Sequence, residues 1–246
     1  MNRFLVHPEA MKSDAVPLST ADARHASVVL RLRPGDPCEL LDGHGGVASA
    51  RIDSVARDAV IARVHARRVH PRPSPEVGLV AALLKGKAWD WTLQKCTEVG
   101  VARIVPVVAQ RSVVRPHPEE SGRRVDEWTR TMGEAAKQCG TPWLPEIIAP
   151  VELGSWLRPL PPDELGLLAA LDGERSPILH AVANARDIRR AWVAIGPEGD
   201  WDGVELGLLR TAGFQPVTLG RNVLRAETAA LAAVVLAIAG LAEASA

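Results

Sequence analysis

The 246-residue chain predicts a mixed α/β protein, a small all-β module followed by a parallel sheet covered by helices on both faces, and three observations carry that prediction. Short β-type runs separated by Gly, Asp and Pro turns fill the first 70 residues. The stretch "HPRPSPEVG" (70–78) then places three prolines in six residues, the composition of a linker. Beyond it, apolar runs of strand length alternate with helical patterns, which is how parallel strands buried on both faces read.

In the first part, strands are expected at Glu39–Leu41, Val47–Ile52 and Ala59–Val69, with "RPGD", "DGHGG" and "VARD" as the turns. After the linker, Val77–Leu84 reads as a strand, "AWDWTLQKCTEVG" as a helix ended by Gly100, and "VARIVPVVA" as a second strand. A polar helix follows from about Pro118 to Cys139. Strands are expected at 165–172, 190–196 and 215–220, with helices at 202–212 and 226–244. Asp202 and Glu205 form a capping box, with Gly213 placed to end that helix. The last helix holds the longest apolar run, 14 residues at 229–242; a membrane span needs roughly 20, so a buried helix is expected.

Lys+Arg and Asp+Glu balance at 29 each, so no whole-chain field calls for a polyanionic partner. Residues 1–72 nevertheless carry ten Arg and one Lys against eight acids, a net of +3 against −3 for the rest, which fits a solvated basic face or a nucleic-acid surface. Cys38, Cys96 and Cys139 are widely spaced without a C-x-x-C pair, which indicates neither a disulfide framework nor a zinc site and fits a reducing compartment. "MNRFLVHPEAMK" lacks the apolar stretch of an export signal.

In a parallel sheet, ligands sit beyond the carboxyl ends of the strands. That singles out "LDGERS" (171–176), "GPEGDW" (196–201) and "LGRNVLRAE" (219–227), three strand-end loops able to converge on one pocket. "LLKGKAWD" lacks the glycine and hydroxyl of a P-loop, "DGHGG" is a fragment of a dinucleotide fingerprint with no helix after it, and no G-x-S-x-G or H-E-x-x-H occurs. A proline and a carboxylate in "GPEG" suit a phosphate poorly; a plain tight turn is the alternative. Arg225 at a helix start opposes the helix dipole, which an anionic ligand or a salt bridge to Glu227 or Glu198 explains. "RHASVVLRLRPGD" (24–36) reads either as a basic face on a barrel or as a helix with solvated arginines.

Five segments in order, "RHASVVLRLRPGD", "LQKCTEVGVARIVPVVAQRSVV", "EAAKQCGTPWLPEI", "IGPEGDWDGVEL" and "LGRNVLRAETAAL", resemble the RsmE-type 16S rRNA methyltransferases, which methylate N3 of a uridine. The resemblance implies a PUA-like RNA-binding β-barrel (1–72) followed by a SPOUT α/β methyltransferase domain (73–246) with a C-terminal deep trefoil knot. It implies S-adenosylmethionine as cofactor, 16S rRNA or the small ribosomal subunit as partner, a homodimer through the knotted domain, a cytoplasmic location, and neither metal nor membrane. Carried onto this sequence, the cofactor site comprises Leu171, Asp172, Gly196, Pro197, Glu198, Gly199, Leu219, Gly220, Asn222 and Leu224. Arg225 and then Arg221 are the expected stabilisers of a deprotonated uridine, with Glu198 or Glu227 taking the proton. Arg3, Arg24, Arg31, Arg33, Arg111 and Arg115 are the expected RNA contacts. Two positions depart from the pattern: Asp200 stands where a second glycine is usual, and Thr141 where an arginine is, with Arg123 and Arg130 as nearby substitutes. A methyltransferase of this fold acting on another RNA site, and a non-catalytic RNA-binding protein, are the other readings.

Overall fold

The computed structural model describes residues 1–171 and 173–244 and divides them into two compact units. The first comprises Met1–Arg72 with Gly133–Leu144; the second comprises Pro73–Met132 with Pro145–Ala246.

Five strands build the first unit: β1 (Asn2–Leu5), β2 (Ala15–Pro17), β3 (Pro37–Leu41), β4 (Gly46–Val55) and β5 (Val60–Val69). They form one sheet in the order β1-β3-β4-β5-β2, parallel only between β1 and β3. Phe4, Val16, Leu40 and Ile52 fill its core. The "DGHGG" turn between β3 and β4 is explained structurally: the Asp42 carboxylate accepts the N–H groups of His44 and Gly46 at 2.7 and 2.8 Å. Gly45, at φ 95°, lies so close to the Trp143 ring that a Cβ would stand 2.6 Å from it. The segment at 24–36 resolves as helical at its start, since α1 (Thr20–Arg24), capped by the Ser19 hydroxyl, passes into a π-helical turn over His25–Val29.

The second unit contains β6 (Glu76–Ala82), α2 (Lys87–Glu98), β7 (Arg103–Val108), α3 (Ser121–Cys139, to Met132), β8 (Glu146–Ile147), β9 (Val151–Glu152) and α4 (Leu153–Trp156). There follow β10 (Glu164–Ala169), β11 (Ser176–Pro177), α5 (Ile178–Ala183), β12 (Arg190–Ile195), α6 (Gly203–Thr211), β13 (Phe214–Thr218) and α7 (Ala226–Ala244). All its strands pair in parallel in the order β11-β13-β10-β12-β6-β7-β8, with β9 also on β7. The expected linker is shorter than its composition suggested, because β6 already starts at Glu76. Gly78 in β6 is there for packing: a Cβ would meet the Trp192 ring at 2.4 Å.

The last helix differs from the expected buried one. α7 lies against α2, α5, β6 and β12 but buries a single stripe, Ala226, Ala230, Ala233, Val234, Ala237 and Leu241. It is long and apolar enough to cross a membrane by length and composition, with 33% of that window buried. A helix apolar on every side has no amphipathic period to say which face the core takes.

Candidate functional site

Strands β13, β10 and β12 are direct neighbours, so their carboxyl ends deliver three loops to one place. Together the loops enclose a cavity of about 640 Å³, within the range of small-ligand sites. Leu171 enters it from the loop after β10, Gly196, Pro197 and Glu198 from the loop after β12, and Leu219, Gly220, Asn222 and Leu224 from the loop after β13. Arg221, Arg225 and Glu227 line the same cavity. Gly199 lines an adjoining one of about 410 Å³ instead. Asp172, also expected at the cofactor site, lies outside the described residues.

The loop after β12 is a rigid turn. Asp200 N–H donates to the Pro197 carbonyl at 2.9 Å, and Asp200 takes a left-handed φ of 58°. Its carboxylate then accepts the Trp201 N–H at 2.8 Å and the Leu171 N–H at 3.4 Å, tying this loop to the one after β10. Gly196 is closely packed in this arrangement, since a Cβ would meet the Trp201 nitrogen at 3.0 Å and the Asp200 carboxylate at 3.1 Å and push them back by a few tenths of an ångström. From outside, Arg111 donates to the Gly199 carbonyl at 2.7 Å. The Asp202–Glu205 capping box forms as the spacing predicts. Glu205 does more than cap, since it also accepts the Gln110 N–H at 2.8 Å.

The loop after β13 closes on itself. The Thr218 hydroxyl donates to the Gly220 carbonyl at 2.9 Å, and Gly220 takes φ 146°, open to glycine alone at little cost. Arg225 then starts α7, its carbonyl accepting the Ala229 N–H at 2.8 Å. Among the described residues, Arg221, Arg225, Glu198 and Glu227 make no side-chain hydrogen bond or ion pair, so the salt bridge offered as one explanation of Arg225 is not formed. Arg175 stands in a loop that the sequence marks without marking this residue; it lines the cavity and donates to the Ala170 carbonyl at 2.9 Å. Three arginines, Arg175, Arg221 and Arg225, thus line the cavity together with three carboxylate residues, Glu198, Asp200 and Glu227.

The six arginines expected at RNA divide. Arg3 is engaged within the first unit, with Glu39 at 2.9 Å and the Lys137 and Gln138 carbonyls at 3.4 and 3.1 Å. Arg24 pairs with Asp58. Arg111 is held by Gly199, and Arg115 by the carbonyls of Ala109 and Gln110. Arg31 and Arg33 are exposed. Of the two arginines near Thr141 in sequence, Arg123 pairs with Glu127.

No group of three His, Cys, Asp or Glu among the described residues is arranged to hold a metal ion. Burial pushes the Cys38 and Cys96 thiols up to about 11 and about 12, which leaves neither as a thiolate at neutral pH.

Known proteins share this arrangement. Residues 71–238 match the RNA methyltransferase domain family, and residues 18–64 match the RNA methyltransferase PUA domain family. The chain is 34% identical over 228 residues to ribosomal RNA small subunit methyltransferase E of Synechocystis, covering 92% of this chain and 74% of that protein. It is 31% identical over 220 residues to the protein of the same name from Mycobacterium tuberculosis, covering 85% and 80%. The crystal structure of a ribosomal RNA small subunit methyltransferase E from Neisseria gonorrhoeae bound to S-adenosyl methionine superposes with a TM-score of 0.84 at 29% identity, covering 95% of each chain.

Proposed function

The chain belongs to the ribosomal RNA small subunit methyltransferase E family, and on that premise we propose that it transfers a methyl group from S-adenosylmethionine to N3 of a uridine in 16S rRNA. One observation carries the reading: the loops after β10, β12 and β13 meet at a single cavity that holds both family-like segments, Gly196–Glu198 and Leu219–Glu227. The cavity suits the cofactor. It combines small residues such as Gly196, Gly220 and Ala226 with the aliphatic Leu171, Ile195 and Leu219, and its arginines and carboxylates offer partners to both ends of an amino-acid zwitterion.

When bound, the cofactor supplies a methyl group on a sulfonium. The chain's part is to align donor and acceptor, which is worth much of the barrier in an in-line displacement. We assign the cofactor to Leu171, Gly196, Pro197, Glu198, Gly199, Leu219, Gly220, Asn222 and Leu224. Uridine N3 carries a proton at neutral pH and attacks only once it is lost. Arg225, with Arg221 second, stabilises the resulting charge on the base oxygens, and Glu198 or Glu227 accepts the proton. With no partner among the described residues, these four side chains can meet a substrate.

The finer architecture follows the same reading: residues 1–72 as a PUA-like β-barrel that holds RNA, residues 73–246 as a SPOUT domain with a C-terminal trefoil knot. Arg3, Arg24, Arg31 and Arg33 of the first unit and Arg111 and Arg115 of the second are assigned as RNA contacts, with Arg31 and Arg33 the freest of them. A homodimer is supported by the uncovered side of α7, where Val235 is exposed, and a cytoplasmic location by the ribosomal substrate. The test is nucleoside mass spectrometry of 16S rRNA from a strain lacking this protein. Loss of N3-methyluridine, restored by the wild-type gene, is expected; an unchanged N3-methyluridine content sinks the assignment.

A further inference from the structure

A short segment of the first unit spends backbone strain on presenting apolar side chains to water. After α1 the chain widens into the π-helical turn His25–Val29, closed by the Leu30 N–H on the His25 carbonyl at 2.9 Å. Arg31 then takes a left-handed φ of 53°, and the Leu32 N–H returns to the Ala26 carbonyl at 2.9 Å. Ala23 and Ala26 are fully buried and Leu32 packs on the same core, so both ends are anchored. Between the anchors, Val28, Val29 and Leu30 are 58%, 65% and 37% exposed. π-turns and left-handed non-glycine residues are costly and gather at functional sites. Three adjacent exposed aliphatic residues on a hydrogen-bonded tip add nothing to the core beneath them.

The surroundings are basic. Arg24, His25, Arg31 and Arg33 flank the tip in sequence, and Arg57 adjoins it because the Ser27 hydroxyl donates to the Arg57 carbonyl at 2.9 Å. Of the acids nearby, Asp58 is already paired with Arg24, and Asp36 accepts the Arg33 backbone N–H at 2.7 Å. Three side chains are too small an area for a stable protein interface, which buries roughly 800 Å² per partner. They are large enough to lie against one or two unstacked bases, as aliphatic wedges do elsewhere. A paired A-form helix offers no such surface, since its accessible groove shows hydroxyls and base edges while base faces are open only in loops, bulges and single strands.

We propose that Val28, Val29 and Leu30 form an apolar wedge that rests on the base faces of unpaired RNA, while Arg31, Arg33 and Arg57 hold the flanking phosphates. The proposal rests on the reading of this chain as an RNA methyltransferase and says which part of the RNA the first unit grips. It also supplies a reason: N3 lies on the Watson–Crick edge, so the acceptor uridine must be unpaired, and a wedge selects such RNA before any chemistry.

The test uses the full chain without cofactor. Binding is measured to a single-stranded 16S rRNA fragment and to the same strand annealed to its complement, across a salt series. Wild type is expected to prefer the single strand. V28S/V29S should bind the single strand about tenfold more weakly, with its affinity for the duplex and its salt slope unchanged. R33A/R57A should weaken both and lower the salt slope by about 2. Wild-type affinity of V28S/V29S for the single strand overturns the wedge, as does an equal loss on both RNAs. A changed oligomeric state of V28S/V29S in sedimentation also overturns it, by giving the patch to a second copy of the chain. If wild type binds neither RNA, the wedge is overturned; the RNA methyltransferase reading itself falls only if isolated small subunits are not bound either, a result distinct from the other three.

Discussion

The two ends of the parallel sheet treat charge in opposite ways. At the amino ends, strand register sets Glu164, Arg190 and Glu76 side by side on β10, β12 and β6. The Glu164 carboxylate, 1% exposed, accepts from Arg158 at 3.0 and 3.1 Å, Arg190 at 3.0 Å and the Trp192 indole at 2.9 Å. Arg190 spends its other nitrogens on Glu76 at 2.8 and 3.1 Å. At the carboxyl ends, the same register brings Ala169, Ile195 and Ala81 together, and the charges stand beyond them on loops. There Arg221, Arg225, Glu198 and Glu227 have no partner among the described residues although they line one cavity. Burial explains the contrast. A charge taken out of water must be paired or it costs several kcal/mol, whereas a charge at a wet cavity can wait for a ligand. Arginines and carboxylates close in sequence do not reveal which kind they are; their place along the strand does.

That contrast predicts different failures at the two ends. The largest is expected from Glu164→Ala, which leaves the Trp192 N–H without an acceptor and strips Arg158 and Arg190 of their shared carboxylate, although Arg190 keeps Glu76, and should cost about 3–5 kcal/mol in denaturant unfolding. A loss below about 1 kcal/mol would mean that the amino-end cluster is ornamental to stability. Arg225→Ala should do the reverse: methyl transfer falls roughly 100-fold or more while unfolding free energy stays within about 0.5 kcal/mol of wild type. A comparable loss of stability would put Arg225 in the same class as Glu164.

Asp200 lies between the two classes, since it faces the cavity yet bonds two backbone amides. Asp200→Ala keeps the left-handed backbone and loses both bonds, so a loss of about 1–2 kcal/mol is expected. Asp200→Gly adopts the same φ freely, and its stability should recover most of that loss. Equal stabilities for the two variants would show that the turn does not hold φ 58° in solution.

The smallest effect concerns pH. Burial alone would lower the Lys137 pKa, but hydrogen bonds to Asp22 and Glu134 outweigh it and raise the value above the ordinary 10.5. The stability from this ion pair is therefore complete below the unfolded-state pKa and fades as pH rises through the higher folded-state value. Lys137→Met should flatten the alkaline limb of the stability profile above about pH 10. An alkaline limb as steep as in wild type contradicts the pairing.

Much of the sheet was legible because apolar strands between glycine and proline turns have few other interpretations. The three loops were legible too, because they follow strands now seen to be neighbours. What escaped the sequence depends on contacts between distant residues. Arg175 reaches back to a carbonyl at the end of β10, and Glu205 serves a helix cap and the Gln110 amide together. Gly133–Cys139 continue a helix yet cluster, with the stretch on to Leu144, in the first unit, which no local pattern announces. Elements such as α4, β8, β9 and β11 are too short to carry a period. Asp200 was visible as an odd residue, but its tie to Leu171 appears only once the two loops are side by side.

The central claim, that this cavity places a methyl group on uridine N3, is tested most directly by incubating 16S rRNA and isolated small subunits with the protein and methyl-deuterated S-adenosylmethionine. The account predicts trideuterated N3-methyluridine with wild type and at most a trace with Arg225→Ala, both proteins binding the cofactor by calorimetry. Label on another nucleoside, or equal labelling by the two proteins, would contradict it.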